Sequence, residues 1–278
     1  MLIGIRLHDT AGETLENRVD IAASQGFFCA HLALSKVIRD YSTAPSALTP
    51  GLALHIKRLF EKRELDIAVL GCYLNLANPD SSELKRITDT YISNIRFASL
   101  LGCGVVGTET GAPNKEYRYC PQCHSEQALE MFTNNLSPII SAAEKSGVIV
   151  AIEPVFKHIV CNPKRARQLL DRISSPNLQI IFDPVNLLDI SNYKNADEIF
   201  SEAIELLGKD IAVIHIKDFI VKGNELISVA AGTGMMDYSQ IMSFMKREKP
   251  YIHVSLENTT PENAVAAREF IEEQYNKA

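Results

Sequence analysis

Residues 148–154 read VIVAIEP: five apolar residues in a row, then Glu153 and a proline. An uninterrupted apolar run of that length suits a strand covered on both faces, as in a parallel sheet wrapped by helices. The grammar returns three times toward the C-terminus. LQIIFDP at 178–184 ends in Asp183, IAVIHIKD at 211–218 passes through His215, and YIHVSLEN at 251–258 reaches Glu257. Each strand closes on a side chain able to bind a metal.

Working outward from these four, short apolar runs alternate with longer amphipathic ones. Strands are predicted at Leu2–Leu7, Phe28–Ala33, Ile67–Leu76 and Gly104–Thr108, before those at 148–152, 178–182, 211–216 and 251–256. Helices are predicted at Thr14–Gln25, Pro50–Lys62, Ser81–Leu101, Ser125–Ser146, Pro163–Ile173, Ala196–Leu207, Tyr238–Arg247 and Pro261–Tyr275. Ser81 is the expected cap of its helix, and Gly147 and Gly208 are expected stops. Eight strand–helix units in 278 residues predict an α/β fold, a single (β/α)₈ TIM barrel, with 1–278 as one domain. Two irregular inserts, Glu109–His124 and Val221–Asp237, follow the fourth and seventh strands, at the end where barrel active sites lie.

Composition narrows the function classes. Apolar residues make up 46%, enough for a sizeable core. No apolar run approaches the roughly 20 residues of a membrane-spanning helix, and the opening MLIGIRLHDT has no leader-like pattern. A net charge of -6 disfavours broad nucleic-acid binding. Six cysteines, three of them in strand-like segments, are expected to be reduced in a cytoplasmic protein.

One carboxylate at the end of an apolar strand is an ordinary salt-bridge candidate. Four metal-competent side chains on the last four strands of a barrel should meet in one mouth, where burying so much negative charge needs a cation. Three carboxylates and an imidazole, Glu153, Asp183, His215 and Glu257, suit one divalent ion: Mn²⁺ first, then Co²⁺, Mg²⁺ or Zn²⁺.

The motifs IEP at Glu153, FDPVN at Asp183, HIKD at His215 and LEN at Glu257, with AGTGMMDY at Ala231–Tyr238, resemble the xylose isomerase-like barrel superfamily and its sugar phosphate isomerase/epimerase group. That resemblance implies that the four residues ligate a metal and that Glu153 and Glu257 form an acid/base pair. It implies a small sugar substrate, and it suggests a homodimer. The chemistry has a plain rationale: a cation stabilises the enediolate left when a proton leaves carbon beside a carbonyl, and carboxylates on opposite faces can take and return that proton. Two departures stand out. Family epimerases carry a histidine three residues after the aspartate, where this chain has Asn186, and a second glutamate soon after the first, where it has Val155–His158.

Other candidates lie around the expected mouth. Asn186 can reach a sugar hydroxyl, and Lys157 and His158 either read a phosphate or carboxylate or lie in a solvated loop. Glu109 and His8 end strands four and one. His31, near the end of strand two, would lie close to the substrate in a barrel mouth or serve as a structural histidine, the reading favoured here, and His253 is expected to pack in the core. Alternation along strand seven is expected to turn Lys217 away from His215 and to bring Asp218 back toward it. Cys120, Cys123 and His124 are read as a loop without metal, with a small zinc clip as the second reading. Competing functions are an apurinic-endonuclease-like phosphodiesterase, a polyol-ketone dehydratase and a non-catalytic sugar-binding barrel.

Overall fold

The computed structural model describes residues 1–278 and contains a closed barrel of eight parallel strands. These are β1 (Leu2–Arg6), β2 (Cys29–Leu32), β3 (Asp66–Gly71), β4 (Val105–Glu109), β5 (Ile149–Glu153), β6 (Leu178–Phe182), β7 (Ile211–Ile216) and, after a hairpin of β8 (Asp218–Lys222) and β9 (Glu225–Val229), β10 (His253–Leu256). Pairing of Leu2 with His253 and Ile5 with Leu256 closes the ring. Closure leaves no unpaired barrel edge.

The ring of helices comprises α1 (Leu15–Ser24), the single turn α2 (Leu34–Val37), α3 (Pro50–Glu61), α4 (Ser81–Leu101), α5 (Glu126–Ser146), α6 (Pro163–Ile173), α7 (Ala196–Leu207), α8 (Ser239–Glu248) and α9 (Ala264–Lys277). Their starts follow local chemistry. Thr14, Thr49, Ser125 and Asn162 each accept a hydrogen bond from a backbone N–H of the first turn. The cap of α4 is Asp80, which receives the N–H groups of Ser82 and Glu83, so Ser81 is the first helical residue instead. α9 begins at Ala264 and leaves Pro261 in the preceding turn. β3 stops at Gly71, short of the expected Leu76. The expected irregular insert after strand seven is in large part the β8–β9 hairpin, paired from Asp218–Val229 to Lys222–Glu225. No helix is long and apolar enough to cross a membrane.

The main core lies between barrel and helices. Inside the barrel a second, small group holds Cys29, Ala68, Val69, Ala151, Ile181 and Val213. Space there is tight: a Cβ on Gly107 would stand 2.6 Å from Val69 and 2.8 Å from Ile181. This plugged interior is the floor on which the mouth is built.

Candidate metal centre

A strand repeats every two residues, so the position two after an inward floor residue also points inward, one layer higher. Stepping up from Cys29, Val69, Ala151, Ile181 and Val213 gives His31, Gly71, Glu153, Asp183 and His215. The same step from Gly107 gives Glu109. The candidate ligands and the floor of the barrel are therefore consecutive layers of one pattern.

Glu153, Asp183, His215 and Glu257 are all buried, and one ligand atom from each lies within 4.8 Å of the others. Donor atoms on a sphere of roughly 2.2 Å radius are at most about 4.4 Å apart, so the set is within a few tenths of an ångström of closing on one ion. His215 Nδ1 stands 3.4 Å from Glu153 Oε2 and 3.2 Å from Glu257 Oε1. Yet neither ring nitrogen of His215 makes a hydrogen bond. Buried polar atoms this close and still unpaired need another partner. A divalent cation supplies one, and the residues fit it.

The other carboxylate oxygens are pinned. Asn186 Nδ2 donates to Glu153 Oε1 at 2.6 Å, and the Asn186 backbone N–H donates to Asp183 Oδ1 at 3.1 Å. Lys217 Nζ donates to Glu257 Oε2 at 3.1 Å and sits 2.8 Å from Asp183 Oδ2. Arg6 stands 3.5 Å from Glu257 Oε2 while its Nε donates to Asp9. Each glutamate thus has one oxygen anchored and one facing the cluster.

The electrostatics follow. Burial would raise Glu257, but Lys217, His215 and Arg6 overcome it and hold the carboxyl well below its usual range. Burial pushes Asp183 up, with Lys217 pulling against it. Burial would lower His215, but Glu153 and Glu257 raise it to about 9 in the metal-free protein.

Lys217 corrects the expectation that it faces away. It stands two residues after His215, so the strand period puts both on one side, and it reaches the heart of the cluster. Asp218 falls on the other side. Its two oxygens accept the backbone N–H groups of Phe219, Gly232, Gly234 and Met236, so it ties down the Gly-rich loop and touches neither His215 nor the cavity. The two aspartates thus differ: Asp218 is saturated by backbone, while Asp183 turns one oxygen to the Lys217 ammonium inside the cluster.

A cavity of about 310 Å³ opens on the cluster, lined by Arg6, His8, His31, Ala33, Lys36, Tyr73, Glu109, Glu153, Asn186, Lys217, Glu257 and Asn258. That volume is at the small end for ligand sites. A larger cleft of about 600 Å³ lies between α7 and α8 on the outer ring, without any such buried cluster beside it.

His8, Glu109 and Asn186 line the mouth as expected. Glu109 accepts from Tyr117 Oη at 3.1 Å, and burial raises its pKa. Lys157 does not join them: it points outward and pairs with Asp189 at 3.3 Å, beside a separate cavity. His158 lies behind Glu109, 3.7 Å from it, and is not part of the lining. His253 sits at the opposite, N-terminal end of its strand, 3.0 Å from Asp66, and not in the core. Cys120 and Cys123 bring their sulfurs to 3.7 Å, while His124 Nε2 meets the Phe156 carbonyl at 2.8 Å.

His31 is the residue most underrated by sequence reasoning. It is 2% exposed, its two ring nitrogens have no partner, and it stacks 5.3 Å from the His215 ring. With His215 and Glu257 it forms a second group of three potential ligands, overlapping the first. The two-residue step from Cys29 would have found it. Arg6, Lys36 and Tyr73 were also passed over: Arg6 is interior to no motif, Lys36 sits on the single helical turn α2, and Tyr73 lies past the end of β3.

Fold and site together define a class: a parallel barrel whose C-terminal mouth gathers three carboxylates and an imidazole around one point fit for a divalent cation. More particularly, the chain belongs to the xylose isomerase-like TIM barrel family, whose description matches residues 19–274. No curated protein sequence matches the chain. Among solved structures, a D-tagatose 3-epimerase-like protein has a TM-score of 0.77 at 21% identity, over 100% of this chain and 99% of its own. A 3-keto-D-glucoside 4-epimerase from E. coli has a TM-score of 0.75 at 13% identity, over 99% of both chains. The IOLI protein with a binding zinc atom has a TM-score of 0.73 at 18% identity, over 100% and 99%. At these identities the likeness is one of fold.

Proposed function

We propose that the protein is a divalent-metal-dependent isomerase or epimerase of a small sugar or sugar derivative, with Glu153, Asp183, His215 and Glu257 as metal ligands and Glu153 and Glu257 as the acid/base pair. The observation that carries this reading is the paired disposition of the two glutamates. They flank His215 at 3.4 and 3.2 Å, each with one oxygen anchored and the other turned to the cluster. The epimerases among the structural neighbours agree with it. Mn²⁺ suits the donor set best.

The ion, when bound, would supply positive charge to adjacent oxygens of the substrate and so acidify the C–H between them. The remaining work belongs to the chain. One glutamate takes the proton from carbon, and the C–H electrons become the C=C of an enediolate. The other glutamate, which enters the cycle protonated, donates its proton to the opposite face, which inverts that centre and leaves the two carboxyls with exchanged protonation; delivery to the neighbouring carbon, with the hydroxyl proton passing to the other oxygen, isomerises instead. No electrons leave the substrate. Lys217 and Arg6 keep Glu257 ionised, and Asn186 holds Glu153 in place by a single hydrogen bond from its side-chain amide. The lining is almost wholly polar, which matches a polyhydroxylated ligand.

The test is deuterium uptake from D₂O into a panel of ketoses and sugar acids by the manganese-loaded protein. Uptake at one carbon, lost in Glu153→Gln and in Glu257→Gln, is the expected result. Uptake that persists in both variants overturns the assignment. Elemental analysis should find one ion per chain; three would favour a phosphodiesterase.

A further inference from the structure

The wall of the cavity formed by β1, β2 and the segment after β3 carries polar atoms that the four-residue ligand set does not use. His31, fully buried, has two unpaired ring nitrogens. Tyr73 Oη and His8 Nδ1 are buried and unpaired as well. The three rings form a row, with His8 and His31 6.5 Å apart and His31 and Tyr73 5.7 Å apart. Unsatisfied buried polar groups in such a row call for a partner.

The charge on this wall has one sign. Arg6 and Lys36 both line the cavity there. Arg6 is shared between Asp9 and Glu257. Lys36, on α2, is exposed at the rim and makes no ion pair with any carboxylate. The influence of these cations reaches His8: burial first, then Lys36 and Arg6, depress it to about 4. Across the cavity stand Glu109 and the ligand carboxylates, where Lys217 is already engaged by Asp183 and Glu257, so this wall is the side with a cation to spare.

We infer that this wall receives an oxyanion at the non-reacting end of the substrate, either the carboxylate of a sugar acid or the phosphate of a sugar ester, with Lys36 as its main charge partner and His31 and Tyr73 bonding the adjacent hydroxyls. The inference rests on the proposed function only for where the reacting end lies. Lys157 and His158, the pair that sequence suggested for this task, are outside the cavity.

The experiment is isothermal titration of the manganese-loaded protein with fructose, fructose 6-phosphate, gluconate and inorganic phosphate, in low and high salt. At least one sugar anion should bind about tenfold or more tightly than fructose in low salt, and the advantage should shrink as salt screens the exposed lysine. Which of the two sugar anions binds tighter tells carboxylate from phosphate. Lys36→Met should cut the advantage about tenfold, Lys36→Glu should cut it further, and Lys36→Arg should keep most of it. Metal content measured alongside separates loss of the ion from loss of the wall. Equal binding of neutral and charged sugars, no binding by any of the four, or an advantage unchanged in Lys36→Met overturns the inference; the last outcome would place the anion on the metal. Because the readout needs no turnover, a protein that binds the anion but never exchanges deuterium keeps the wall and loses the isomerase reading, and the reverse result does the opposite.

Discussion

The two halves of the barrel mouth are built from opposite materials. Strands β5, β6, β7 and β10 present three carboxylates and an imidazole that converge on a point. Strands β1 to β3 present an arginine, two histidines and, beyond the last strand, a tyrosine, with Lys36 at the rim. The first half is crowded with charge and needs a cation; the second is rich in donors and needs acceptors. A ligand bridging them has its orientation fixed before any specific contact is counted, because its acceptor-rich end is repelled by one half and held by the other. Lys217 is the exception that joins them, a cation planted inside the acidic half.

The sharpest way to break the contrast is to remove charge from the acidic half alone. Glu257→Gln should lower deuterium exchange about a thousandfold, the usual scale for losing a general acid or base, while the barrel stays folded by circular dichroism. A loss under tenfold would remove Glu257 from the chemistry.

Next in size is Lys217→Met, which strips Asp183 and Glu257 of their buried cation. The chelated protein should lose about 3 kcal/mol of stability, as breaking a buried pair does. Thermal melting with Mn²⁺ present should show a smaller loss, since the ion takes over the neutralisation. Equal losses with and without the ion would mean that Lys217 and the metal do not share these carboxylates.

Proton competition sharpens the acidic half further. His215 in the metal-free protein has its pKa raised from 6.5 to about 9. Its contribution to metal-free stability is therefore fully present below pH 6.5 and is lost as pH rises through 9. Metal binding must expel that proton, so apparent metal affinity should rise about tenfold per pH unit across the window and level off above it. Calorimetric titration with Mn²⁺ at several pH values reads this directly, and a flat profile would exclude His215 as a ligand.

The smallest effect probes the donor half. A Cβ on Gly71 would stand 2.5 Å from His31 Nε2 and 3.0 Å from the Tyr73 ring. Gly71→Ala should displace the row of rings and raise KM several-fold, with metal content unchanged and a stability cost of about 1 to 3 kcal/mol. If the metal is lost too, His31 belongs to the acidic half and the contrast is wrongly drawn.

The barrel and its acidic half were legible because both are written in short stretches. An apolar strand and the side chain that ends it are neighbours in the chain, and four repeats of that pattern suffice to name Glu153, Asp183, His215 and Glu257. The two-residue period carries more than was taken from it: counted correctly, it places Lys217 beside His215 and turns Asp218 outward. Lys157 and His158 were misplaced for a different reason, since a loop beyond a strand obeys no period.

From the chain alone come the alternation of strand and helix, the closed parallel barrel, and the four residues of the acidic half, all of them consequences of local periodicity and of the cost of burying charge. Only the tertiary structure decided that Arg6, Lys36 and Tyr73 share a wall, that Asp218 is consumed by the backbone of its own loop, and that His31 is left without a partner. Those facts depend on strand register around a closed ring and on where loops come to rest, and both are set by contacts between residues far apart in sequence.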